Sequence, residues 1–164
     1  MPRKSKFMTL LLTSLLTGTL DAMIAILISY RIPPATIFKF IASAFFGPAA
    51  FKGGTEMIIW GLLFHYLIVA IFSVVCFLLY PNVVKIFKNK YFTGIIYGLL
   101  IWLIMNFAVL PFTNIHRGTM HIDAIGLIKG ISALIICVGI PVALIADNYY
   151  KSSRLITQDS VLPI

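Results

Sequence analysis

Charge is scarce in this chain, and acidic charge scarcest. Five Asp and Glu stand against thirteen Lys and Arg, and the four types together make up 11% of 164 residues. A water-soluble domain of ordinary composition carries about 25%. Hydrophobic residues reach 60% and mean hydropathy is +1.02. A globule of this size hides only ~70% of its chain surface, too little to bury so much apolar material. The shortage of charge therefore excludes a soluble fold and makes lipid the solvent for much of the chain. The length leaves no room for a separate soluble domain, so one domain over residues 1–164 is expected.

Cysteine and histidine are nearly as sparse. Cys76 and Cys137 are the two cysteines and form no CxxC pair, which excludes a membrane thiol oxidoreductase and leaves both as small apolar fillers. Of three histidines only His65 lies inside an apolar run, so a bis-histidine haem is excluded. His116 and His121 fall in the polar stretch 112–122 beside Asp123, which reads as a solvated loop rather than a metal site. HExxH, GxSxG and phosphate-binding glycine loops are all missing. The residues imply no cofactor, no metal and no catalytic set, and an embedded enzyme ranks last among the functional classes.

The formal charge of +8 does not signal nucleic acid. The basic residues are dispersed in the gaps between apolar runs, where they set membrane orientation. Those runs predict four transmembrane helices, at about 7–30, 55–79, 92–110 and 123–149, with a mixed tail at 150–164. The first follows a basic MPRKSK and has the look of a signal peptide. Cutting after Ala22 would put Leu20 at the −3 position, and apolar character resumes after Asp21, so an uncleaved span is expected. Between the first two spans, Pro33-Pro34 opens a short apolar stretch, about 35–46, that Gly47-Pro48 closes. It is too short to cross and is expected as an interfacial or re-entrant helix. The fold class is thus an all-α integral membrane protein of four spans with a short helix between the first and second.

With both termini on one side, that side holds Arg3, Lys4, Lys6, Lys85, Lys88, Lys90, Lys151 and Arg154. The other holds Arg31, Lys39, Lys52, Arg117 and Lys129. Eight against five favours cytoplasmic termini. GxxxG pairs at Gly94/Gly98 and Gly126/Gly130 predict close packing of the third span on the fourth. Pro141 leaves the Cys137 carbonyl without its donor and predicts a kink there.

Asp21, His65, Asn106 and Lys129 are the polar residues that need a reason, since an ionised side chain near mid-membrane costs ~3 kcal/mol or more. Counted from the ends of their spans, all four fall at overlapping depths in the half opposite the termini. Ser14, Thr17, Gly18, Asp21 and Ala25 share one face of the first span; Gly61 and His65 share one of the second. The expected site is a buried cluster in which Asp21 pairs with His65 or Lys129, helped by Asn106. Glu56 stands at the mouth of the second span, where it suits the positive end of the helix, with Thr55 as N-cap.

The segments TGTLDA, GPAAFKGG, GLLFHYLIVAIFS and YGLLIWLIMNFAVLPF, spread over most of residues 12–145, together resemble small bacterial inner-membrane proteins of the YagU-like family. The resemblance implies a bacterial four-helix inner-membrane protein, carries no catalytic residues, and overlaps the cluster at Asp21, His65, Asn106 and Pro111. The extra loops of longer members are missing. Three functions remain in order: proton-linked or small-solute transport through the cluster, a scaffold or lipid-interacting protein in which the cluster is glue, and an enzyme. Expected partners are the lipid bilayer and, because four helices make a thin conduit, a second copy of the chain.

Overall fold

A computed structural model describes residues 5–114 and 124–159. The expected sites at His116, Arg117, His121 and Asp123 lie outside these residues. The described elements are helical: α1 Lys6–Ile28, α2 Pro34–Phe46, α3 Ala49–Lys52, α4 Thr55–Phe87, α5 Lys90–Ile104, α6 Ala124–Leu134 and α7 Ile140–Asp159. A π-helical turn Met105–Val109 and a 3-10 turn Leu110–Phe112 extend α5, and a second π turn Ile135–Gly139 joins α6 to α7. Four spans are long and apolar enough to cross a membrane: Lys6–Ile28, Thr55–Phe87, Lys90–Val109 and Ala124–Ser153. The chain is an all-α membrane protein of four spans, with a short apolar helix after the first.

Which face each span turns inward is decided by its solvent. Helix α1 buries Thr13, Ser14, Thr17 and Gly18 while Leu11, Leu12, Leu15 and Leu16 face outward. Leucine gains nothing by leaving lipid, so close approach and polar contacts select the inner face. The two buried threonine hydroxyls are satisfied within the helix: Thr13 donates to the Thr9 carbonyl at 2.6 Å and Thr17 to that of Thr13 at 2.9 Å. Thr17 also meets the Ser73 hydroxyl at 3.0 Å, tying α1 to α4. A double-mutant cycle of Thr17→Val and Ser73→Ala, read as unfolding free energy in micelles, should give a coupling of about 0.6 kcal/mol, the usual worth of one interhelical hydrogen bond.

The third and fourth spans pack closely through Gly94 and Gly98, as the sequence predicts, but on the fourth span through Gly139 rather than Gly126 and Gly130. A Cβ on Gly94 would stand 2.7 Å from the Ile140 Cα, and one on Gly98 would run into the Ile135 backbone. Their partner is Gly139, whose own Cβ would strike Gly94 and Gly98. Gly126 is exposed, and a Cβ on Gly130 would find only ordinary contact with Trp102 at 3.5 Å. The close approach falls at the π turn, one level deeper than the GxxxG of α6. Because the obstacle at Gly98 is backbone, Gly98→Ala should destabilise the protein by about 1–3 kcal/mol, measurable by thermal unfolding in detergent.

Prolines account for the irregular turns. Neither Pro111 nor Pro141 can donate to the carbonyl four residues earlier. In both cases the helix widens into a π turn just ahead of the proline, at Met105–Val109 and Ile135–Gly139. The second span, expected to end at about residue 79, just before Tyr80-Pro81, instead carries Pro81 inside α4, which runs on to Phe87. At 33 residues that helix is ~50 Å long, against ~30 Å of hydrocarbon, so its last turns with Lys85 extend beyond the lipid core. Helix α7 likewise continues past Tyr149 to Asp159, where the sequence predicted a mixed tail.

Helix α2 lies on the flank of α4. Gly61 admits the Phe38 carbonyl, and Phe45 stacks on Phe64 with centroids 4.5 Å apart. Asn114 closes the far end of α2, donating its backbone N–H to Ala44 O at 3.0 Å and its Nδ2 to Phe45 O at 2.9 Å. The chain then reverses at Gly47, whose φ of 61° is one that side-chain-bearing residues rarely adopt. The consequence is positional: α2 places Ile41 at the level of His65.

Candidate functional site

Asp21 and His65 line one cavity of about 110 Å³. Its other walls are apolar: Ile41 of α2, Ile68, Val69 and Phe72 of α4, and Ile101, Met105, Leu134 and Val138 from the third and fourth spans. Every span contributes, so the space is central to the bundle. His65 is buried, and its Nε2 lies 2.9 Å from the Gly18 carbonyl of α1. A carbonyl only accepts, so Nε2 carries a proton and Nδ1 is left as the nitrogen not held by α1. Gly18 also admits the neighbouring ring of Tyr66, which a Cβ there would meet at 2.7 Å. Asp21 is half-buried and makes no hydrogen bond among the described residues. An acid and a base, one from each of two adjacent helices, thus share a small apolar space.

The other expected members stand elsewhere. Lys129 is exposed on α6 beside outward-facing Ile125 and Ile128 and does not line the cavity. Equal depth does not bring it in, because its position on the helix turns it outward, where its long stem can carry the ammonium toward headgroups. Asn106 is half-buried at the second residue of the first π turn and donates Nδ2 to the Trp102 carbonyl of its own helix at 2.9 Å. Its neighbour Met105 reaches the cavity in its place. Glu56 is exposed at the start of α4 and accepts from the Gly54 N–H at 2.5 Å. Gly54, rather than Thr55, is the N-cap, and Glu56 reaches back to satisfy it. Lys39 serves the same corner, donating to Gly53 O at 2.6 Å.

A second polar centre, at the opposite end of the bundle, has no counterpart among the sequence-based expectations. Asp147 of α7 is buried; its Oδ1 accepts from the Tyr80 hydroxyl at 3.0 Å, and its Oδ2 lies 2.8 Å from Lys151 Nζ and 3.8 Å from Lys90 Nζ. These residues line a larger, open cavity of about 440 Å³ with Lys88, Asn89, Tyr91 and Tyr150. The sequence does hold a signal: Asp147 and Lys151 are one helical turn apart, a pairing distance. Among the described residues no group of three or more His, Cys, Asp or Glu could hold a metal ion, and Cys76 and Cys137 are both buried and free. Comparison with family models, curated proteins and solved structures finds no match to this chain.

Proposed function

We propose that this chain is a proton-linked membrane protein of the bacterial inner membrane, with Asp21 and His65 as its proton-binding pair. The observation that carries the reading is their shared cavity. Ionisable groups inside a membrane are costly and tend to mark ion or proton pathways. Asp21 has no hydrogen-bond partner among the described residues to repay that cost. A volume of about 110 Å³ suits a proton with a few waters, at ~30 Å³ each, or one very small solute. In this scheme the Asp21 carboxyl takes up and releases the proton, and His65 exchanges through Nδ1 while Gly18 holds its other nitrogen.

The resemblance to the YagU-like family supports the bacterial location, and the excess of basic residues at the end holding the termini supports their placement in the cytoplasm. A second copy of the chain would widen so thin a bundle into a conduit. The test is proton flux into proteoliposomes under an imposed pH gradient, for wild type, Asp21→Asn and His65→Ala. Wild-type flux that both variants lose is the expected result. Flux no greater than that of empty liposomes for all three, with the variants losing thermal stability, would make the pair structural glue.

A further inference from the structure

The larger cavity poses a separate question, because its charges do not balance. Lys88, Lys90 and Lys151 line it with a single carboxylate, Asp147. Both Lys90 and Lys151 are directed at the same oxygen, Asp147 Oδ2. Lys88 has no ionic or hydrogen-bonded partner for its side chain among the described residues. Three cations against one anion leave an excess of two positive charges around an open space of about 440 Å³, a size typical of small-molecule sites (~300–1,000 Å³). The first residues of α5, with Asn89 before them, line the same space as far as Tyr91, so the positive end of that helix adds to the field. Tyr91 and Tyr150 add ring hydroxyls to this wall, while the Tyr80 hydroxyl is already donated to Asp147 Oδ1.

Lys88 is also held there at a cost. It closes α4 in the left-handed conformation, with φ 54° and ψ 8°, the one side-chain-bearing residue among those described with a positive φ. Glycine is the residue that ordinarily ends a helix this way. Lysine at such a position gives the backbone nothing, while its ammonium lines the cavity.

We infer that this cavity binds the phosphate group of an anionic phospholipid headgroup. Its place in the bundle decides between a lipid and a free anion. It lies where α4 and α7 leave the apolar core and α5 enters it, with the exposed ring of Tyr91 in its wall and exposed Phe92 next to Tyr91 in the chain. A headgroup in the cavity would lay its acyl chains against those residues. Basic pockets between spans recognise anionic headgroups in this way. A zwitterionic lipid would bring a cation into a space already two charges positive.

The experiment uses the full chain in detergent, with lipid binding read by native mass spectrometry and folding read by thermal unfolding. The probes are phosphatidylglycerol, phosphatidylcholine and inorganic phosphate. The variants are Lys88→Gly, Lys90→Gln and the double substitution. Wild type should prefer phosphatidylglycerol over phosphatidylcholine. Each lysine should be worth about five-fold in that preference, and the pair about twenty-five-fold. Lys88→Gly is the decisive variant, since it relieves the left-handed backbone and should leave thermal stability unchanged or raised. Equal retention of both lipids by wild type, or a preference that survives the double substitution, would overturn the inference. So would inorganic phosphate binding that depends on the two lysines without any lipid preference, since it would assign the cavity to a soluble anion.

Discussion

Asp21→Asn should abolish proton flux while leaving the protein as stable as wild type or more so. The two effects have opposite signs for one reason. Asparagine keeps the shape of aspartate, so the cavity walls need not move, but it can neither take up nor release a proton. The native carboxyl contributes no hydrogen bond among the described residues, and its ionised form is penalised by an apolar surrounding worth ~3 kcal/mol or more at mid-membrane. Removing the ionisable group removes that penalty. Stability gained as activity is lost is the mark of a residue kept for function. A residue kept as glue behaves the other way, with both falling together or only stability falling. His65→Ala differs in kind, since it also deletes the bond to Gly18 and should cost about 1 kcal/mol of stability besides the flux. Flux at wild-type rate in Asp21→Asn would remove Asp21 from any proton path.

The four spans and the short second helix were legible because the signal is long-range and redundant: each run of apolar residues is interrupted by prolines, glycines or lysines at a spacing that lipid dictates. That Asp21 and His65 line one cavity was legible for a narrower reason. Thr17, Gly18 and Asp21 share a helical face, as do Gly61 and His65, and small or polar residues turn inward in lipid. Lys129 and Asn106 show where that reasoning stops. Depth along a helix can be counted from its ends, but rotation about the axis is set by packing, and a π turn shifts the helical phase of every residue beyond it. Asn106 sits in such a turn and Met105 takes the inner position. The same turns moved the close glycine contact from Gly126 and Gly130 to Gly139. Pro81 misled in the opposite direction, because a proline lowers the worth of a helix without forbidding it, and α4 continues for six residues beyond. The contact between Asp147 and Tyr80 was out of reach, since it joins residues 67 apart in the chain with no shared periodicity.

That contact leads to the second large effect. Asp147→Ala should destabilise the bundle by about 2 kcal/mol, and most of the loss should come from Tyr80 rather than from the lysines. Lys151 is 67% exposed and Lys90 36%, and ion pairs so open to solvent contribute at most about 1 kcal/mol between freely moving side chains. Tyr80 is 2% exposed and donates at 3.0 Å to a buried carboxylate. A hydrogen bond to a charged group is worth about 1.5–3 kcal/mol. The hydroxyl is also the anchor of an aromatic cluster, with Tyr80 stacked on Tyr150 at 6.4 Å and Phe77 tilted against Tyr149 at 5.4 Å. Tyr80→Phe should therefore reproduce most of the Asp147→Ala loss, while Lys151→Ala should cost only a few tenths of a kcal/mol. Unfolding of the three variants in the same detergent, at low and at high salt, separates the contributions. The Tyr80 effect should persist at high salt and the Lys151 effect should vanish, because screening acts on exposed charges and leaves buried hydrogen bonds nearly untouched. A Lys151→Ala loss equal to that of Asp147→Ala would mean that the ion pair, and not the tyrosine, locks α7 to α4.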